Sequence, residues 1–344
     1  MTSSAKSLTI NPKGHIRTPM HDMATVFARY REDLQRVEDC MAASLRTDIS
    51  LIPQVSRHLI GSGGKRFRPL LLMAAAALCG YEGDRRHPLA AVIEFIHTAT
   101  LLHDDVVDNA DMRRGRKAAN NVWGNAASVL VGDFLYSEAF QLMAAHGNME
   151  IIRVLAGATN HMAAGEVFQL MKKGDPEISE TDYLTIIEKK TSRLISAACT
   201  VGALLAGATE ERVEALGGFG LNLGFAFQIV DDALDYTANE EEFGKAVGKD
   251  LAEGKLTLPL IRTLHRCPAE ERQIIIGIVT DPERDEGALR TVFSIIKRHD
   301  GLPYTLEMAR RYVETGKSRL NGFPDIAPRR DLLALADYVT ARKF

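Results

Sequence analysis

Only four cysteines occur in the 344 residues, and Cys40, Cys79, Cys199 and Cys267 lie far apart with no Cys-x-x-Cys pair. That scatter excludes a zinc site of paired cysteines and a disulfide framework. It fits a reducing compartment, so a cytoplasmic setting is expected. No long basic block is present either. With a net charge of −3, a nucleic-acid surface is disfavoured, and any bound anion must be held by a few placed cations. Long apolar runs are also missing. The longest, Pro69 to Cys79, falls short of the ~20 residues a bilayer span requires, so no transmembrane segment is expected. Neither a Walker loop (Gly-x-x-x-x-Gly-Lys-Ser/Thr) nor an EF-hand loop (Asp-x-Asp-x-Asp-Gly) occurs, which removes those nucleotide and calcium sites.

What is present is helix after helix. Hydrophobic residues make up 46% and charged residues 25% of the chain, the balance of a water-soluble globular protein. From about Met23 apolar residues recur at three and four, as in Val26, Tyr30, Leu34, Val37 and Met41, and period-two alternation is scarce. Gly61-Ser62-Gly63-Gly64, Tyr81-Glu82-Gly83-Asp84 and Gly174-Asp175-Pro176 punctuate the helices, and Gly244, Gly248 and Gly254 interrupt the region after Asp235. Pro69 falls where a first helical turn tolerates it. No linker or repeat divides the chain, so residues 23–344 are expected to form one all-α domain. Residues 1–22, basic at Lys6, Lys13 and Arg17, lack the Arg-rich amphipathic pattern of a transit peptide and read as a flexible lead-in.

Two aspartate clusters carry the chemistry. Asp104-Asp105-Val106-Val107-Asp108 ends the apolar run Ala90 to Leu102, and Asp231-Asp232-Ala233-Leu234-Asp235 ends Phe219 to Val230. In each, the first and last aspartates stand one turn apart on one helix face, with the second about 100° away. Carboxylates at i and i+4 repel, and acids near a helix C-terminus oppose its dipole. One such cluster could be no more than a solvated helix end. Two, each closing a long apolar helix, point to a hard cation. Magnesium takes oxygen ligands and is typically held by one or two carboxylates together with substrate phosphates.

Cations that could complete such a site are nearby in the sequence. Arg113 and Arg114 follow the first cluster, and arginine's planar fork matches phosphate oxygens. Lys65, Arg66 and Arg68 lie in Gly63-Gly64-Lys65-Arg66-Phe67-Arg68-Pro69, a glycine-rich entry to a helix whose N-terminus favours anions. His97 sits two turns before Asp104 on the same face. Alone, a histidine in an apolar run is most often a core residue, but this alignment favours function. Lys190-Thr191, Gln228, Lys245, Lys249 and Lys255 are further phosphate candidates. His103 and Asp111 read as local supporting groups.

Taken together these motifs resemble the trans-isoprenyl diphosphate synthase family, in its long-chain bacterial polyprenyl branch. Gly165-Glu166, Phe227-Gln228-Ile229-Val230-Asp231-Asp232 and Gly248-Lys249-Asp250 extend the likeness from about residue 23 to the C-terminus. The resemblance implies an all-α antiparallel helical bundle around a deep central cavity, usually a homodimer. It implies magnesium held by Asp104 and Asp108, with Asp105 beside them, on one wall, and by Asp231 and Asp235 on the other. Arg113, Lys190, Thr191, Gln228 and Lys245 would bind an allylic diphosphate. Lys65, Arg68, His97 and Arg114 would bind isopentenyl diphosphate, and Lys255 matches a further family lysine across a loop one residue longer than in farnesyl-making relatives. Asp104, Asp108, Asp231, Lys190 and Gln228 would carry catalysis, with Lys190 and Gln228 beside the allylic cation. The loop from Gly244 to Lys255 would close to exclude water.

Product length is expected from the first aspartate helix. In relatives with short products, an aromatic about five residues before the first aspartate blocks the tunnel. Here Ala99, followed by Thr100, leaves it open for a long all-trans product destined for the membrane, such as a quinone side chain. A terpene cyclase would carry an Asn/Asp-Ser/Thr-Glu second motif and would need no isopentenyl site. A regulatory subunit of this fold usually loses one aspartate cluster.

Overall fold

The computed structural model describes residues 23–61, 66–237, 249–281 and 285–341. Lys65 and Lys245 therefore lie outside the described residues, as do Gly244 and Gly248 of the expected closing loop and the lead-in 1–22. The first half of the chain comprises α1 (Met23–Arg29), α2 (Arg31–Ser44), α3 (Leu51–Ile60), α4 (Phe67–Leu78), α5 (Arg86–Val107), α6 (Ala119–Trp123), α7 (Asn125–His146) and α8 (Met149–Met171). Next come α9 (Glu180–Ile187), a π-helical turn (Glu188–Ser192), α10 (Arg193–Leu205), α11 (Glu210–Leu234) and α12 (Lys249–Ala252). The chain ends with α13 (Leu258–Arg266), α14 (Ala269–Thr280), α15 (Glu286–Arg298), α16 (Gly301–Ser318) and α17 (Ala327–Ala341). The all-α expectation is met. Among the described residues the only sheet is a two-residue hairpin, β1 (Met112–Arg113) and β2 (Arg116–Lys117).

Local chemistry sets the helix ends. Asn148 caps α8 by accepting the Ile151 N–H at 2.9 Å, which satisfies one orphan donor of the first turn. Ser179 and Asp182 form a reciprocal capping box at the start of α9. Pro69 lies in the first turn of α4, where its missing N–H costs nothing. The hairpin after α5 turns on Arg114 and Gly115, at φ 52° and 75°, the sign pattern of a type I′ turn. Glycine supplies one left-handed position freely, whereas Arg114 adopts the other at a cost of about 1 kcal/mol.

α4, α5, α10 and α11 make up the centre. α5 lies along α7, α10 packs on α4 and α11, and α16 covers the far side of α11. Phe95, Phe219 and Leu70 to Leu72 are fully buried there. Among the described helices α11 alone is long and apolar enough to cross a membrane by length and composition. Its apolar length instead serves the interior, between α10 and α16, and its last turns carry Gln228, Asp231 and Asp232 to a cavity.

Candidate active site

The last turns of α5 and α11 open onto one cavity of about 1040 Å³, and Asp104, Asp108 and Asp231 all line it. Burial pushes Asp104 up to about 6, with Glu166 and Asp108 adding to the rise and Lys190 and Arg113 opposing it. Burial alone would also raise Asp108, but the Lys255 ammonium, 2.7 Å from its Oδ2, holds it below the usual range. Lys190 bridges Glu166 and Asp104, at 3.5 Å from the latter. Two lysines thus sit as counter-cations on the first cluster.

Asp105 does not share that cavity. It is fully buried, lies outside the cavity lining, and its Oδ1 accepts the Arg113 Nε–H at 2.8 Å. A rotation of about 100° from Asp104 turns it into the protein, where it orients Arg113 rather than a metal. Asp235 also falls outside the main cavity. It lines an adjoining depression with Asp231 and Asp250, and its two oxygens accept the N–H groups of Lys249 and Asp250 at the start of α12.

The basic groups converge from separate elements. Arg68 of α4, His97 of α5 and Arg113 and Arg114 of the hairpin all line the cavity. Arg68 has no hydrogen-bond partner for its Nε, and burial lowers its pKa against the pull of Glu94 and Asp231. An unpartnered donor in a cavity wall suits an anionic ligand. Burial and the positive charges of Arg68, Arg114, Arg113 and Arg66 push His97 well below the ordinary histidine range. Arg66, left-handed at φ 44°, pairs with Glu38 of α2 and Glu94 of α5. It anchors the entry to α4, with its side chain turned into these carboxylates.

Lys190 and Thr191 owe their placement to the π-helical turn, a local widening common at functional sites. Two glycines let it sit between α8 and α11. A Cβ on Gly165 would lie 2.9 Å from the Lys190 nitrogen, and one on Gly224 would lie 2.4 Å from the Ser192 Cα. Gly224→Ala must therefore displace the turn. It is expected to cost ~1–3 kcal/mol of stability and to lower turnover about tenfold or more. Thermal unfolding and steady-state rates check this, and wild-type values in both would show that the turn yields freely.

On α5 it is Thr100, not Ala99, that reaches the cavity. Ala99 is fully buried and absent from the wall, whereas Thr100 and Leu101 line it. Five residues before Asp104 amounts to about 140° of helix rotation, four residues to only about 40°. Glu166, Tyr183, Asp232 and Asp250 also line the cavity, and sequence reasoning gave them no role. The Gly165-Glu166 and Lys249-Asp250 pairs were visible signals for two of them. Nothing in the sequence joined Tyr183 to Asp232.

Among the described residues no three histidine, cysteine, aspartate or glutamate side chains close on one point. Asp104, Asp108 and Asp231 nonetheless present hard oxygen donors to a shared cavity with Arg68, whose Nε has no partner, in its wall. That donor set fits a divalent cation whose remaining ligands come from phosphates and water.

A sequence model described as polyprenyl synthetase matches residues 49–296. The chain is 44% identical to an octaprenyl diphosphate synthase of Haemophilus influenzae over 304 residues, 88% of this chain and 92% of that one. The structure of a polyprenyl synthase from Caulobacter crescentus, complexed with calcium and isoprenyl diphosphate, superposes with a TM-score of 0.89 at 42% identity, covering 93% of this chain and 97% of that one. A decaprenyl diphosphate synthase from Rhodobacter capsulatus gives a TM-score of 0.89 at 42% identity, covering 92% and 98%.

Proposed function

The chain belongs to the polyprenyl synthetase family, and from that premise we propose that it elongates an allylic diphosphate, farnesyl diphosphate for preference, by successive trans condensations with isopentenyl diphosphate. The observation that carries this reading is the shared cavity, where the aspartates ending α5 and α11 meet cations from α4, the hairpin and the π-helical turn around a largely apolar interior.

Asp104, Asp108 and Asp231 would hold magnesium, which supplies the positive charge that offsets charge building on the departing diphosphate. Asp235 and Asp250 support α12 and the adjoining depression. Arg113, Lys190 and Lys255 meet the allylic diphosphate as its C1–O bond breaks, where preorganised cations count most. Lys245 shares that role on the sequence motif. Arg68, His97 and Arg114, with Lys65 by the same motif, hold isopentenyl diphosphate so that its double bond faces the allylic carbon. The new C–C bond forms, a proton leaves the adjacent carbon, and the released diphosphate accepts it. Gln228 and Thr191 line the wall beside Lys190, where an amide carbonyl stabilises the transient cation.

The growing chain is buried in the apolar part of the cavity at roughly 0.8 kcal/mol per CH₂-sized group, and the likeness to octaprenyl and decaprenyl diphosphate synthases supports a product of about 40 to 50 carbons. Delivery to the membrane for a quinone side chain is the proposed fate. A homodimer is proposed as well. Leu130 of α7 and Met149 and Met171 of α8 are exposed outside the cavity, apolar surface of the kind that a subunit contact covers.

Incubating the purified chain with farnesyl diphosphate, labelled isopentenyl diphosphate and magnesium tests the reading. Long-chain product that vanishes with EDTA is expected. No incorporation from any allylic starter would overturn it.

A further inference from the structure

Asp232 is the second carboxylate of its cluster, and its surroundings differ from those of Asp231. It is nearly fully buried, and both of its oxygens are engaged. Oδ1 accepts a hydrogen bond from Gln228 Nε2 at 2.8 Å, and Oδ2 accepts one from the Tyr183 hydroxyl at 2.5 Å. Tyr183 comes from α9 and is itself buried. At the other end of the chain of bonds, the Thr191 hydroxyl of the π-helical turn donates to Gln228 Oε1 at 2.8 Å. Tyr183, Asp232, Gln228 and Thr191 thus form one line across three elements, and all four border the cavity.

An amide side chain has two orientations of nearly equal shape. Here only one is satisfied. Asp232 already receives the Tyr183 hydroxyl on one oxygen and the Gln228 NH₂ group on the other, which leaves the Gln228 carbonyl oxygen facing Thr191 and the cavity. Flipping Gln228 would set its oxygen against the Asp232 oxygen and leave a buried acceptor unpaired. The flip would also turn a donor, with its positive edge, toward the place where positive charge develops on the allylic carbon. Tyr183 completes the restraint by fixing the Asp232 carboxylate from its far side.

We infer that Asp232 and Tyr183 are positioning residues that act through Gln228, locking its carbonyl oxygen toward the reacting carbon. The inference deepens the proposed function and rests on it. Asp232 then differs in kind from Asp231: it serves an amide, and the metal demand of the enzyme does not depend on it. Thr191 also changes character. With its proton committed to Gln228, it offers lone pairs to the cavity and must release Gln228 before it can donate to a diphosphate.

The experiment compares Asp232→Asn, Tyr183→Phe and Gln228→Met, singly and in pairs, in the full chain with farnesyl diphosphate, isopentenyl diphosphate and magnesium. Asp232→Asn keeps the shape but allows the flip, and should lower kcat about tenfold or more. Tyr183→Phe should lower it several-fold. The KM for isopentenyl diphosphate and the half-saturating magnesium concentration should stay within about twofold of wild type. In the Gln228→Met background neither substitution should cost anything further, because nothing is left to orient. Additive losses in that background, or a tenfold shift in magnesium requirement for Asp232→Asn, would overturn the inference. If Asp232→Asn does not fold, Tyr183→Phe with Gln228→Met makes the same comparison alone. Wild-type protein that incorporates no isopentenyl diphosphate would instead defeat the proposed function and this inference with it.

Discussion

Asp231→Asn is expected to lower turnover by about 10³-fold, equivalent to ~4 kcal/mol of transition-state stabilisation, while leaving the fold intact. The side chain keeps its volume and loses only its charge. Asp231 borders both the main cavity and the adjoining depression, and its charge is felt at Arg68 on the opposite element. Removing it therefore takes one wall out of the proposed divalent-ion site while Asp104 and Asp108 keep the other. Turnover should recover partly at high magnesium, and melting in EDTA should match wild type. Retention of more than a tenth of the wild-type rate at ordinary magnesium would remove Asp231 from the ion-holding set.

Thr100→Tyr should cut the product to about 15 or 20 carbons, because its side chain enters the cavity about 6 Å along α5 from Asp104. Thr100 lines the wall, and its hydroxyl donates back to the His97 carbonyl at 2.8 Å. A tyrosine there would stand across the path of the growing chain. Ala99→Tyr makes the discriminating control. Its side chain points into packed interior, so overpacking should cost ~1–3 kcal/mol of stability with little change in product length. Chromatography of the dephosphorylated products separates the two cases. An unchanged product from Thr100→Tyr, or shortening by Ala99→Tyr alone, would return the gate to residue 99.

These two outcomes bear on how far the residues could be read without coordinates. The helical phase of α5 was legible: Asp104, Asp108 and His97 do share a cavity-facing stripe. What the phase does not reveal is how wide that stripe is. Asp105 and Ala99 lie next to cavity-lining residues in sequence, yet both fall on the buried side. The repeated carboxylate motif suggested equal roles for its members, whereas packing gives each a different neighbour. Asp105 meets Arg113, Asp232 meets Gln228 and Tyr183, and Asp235 meets the start of α12.

By itself, then, the sequence determined the helical class, the two carboxylate clusters at helix ends and the cations that match them. These follow from periodicity and spacing, which act over one or two turns. Only the tertiary structure decided that Lys255 pairs with Asp108, 147 residues away, that Lys190 bridges Glu166 and Asp104, and that Tyr183 reaches Asp232. Such contacts depend on how whole helices pack. Local propensity fixes which residues share a helix face, but burial of all the apolar faces together decides what each face meets.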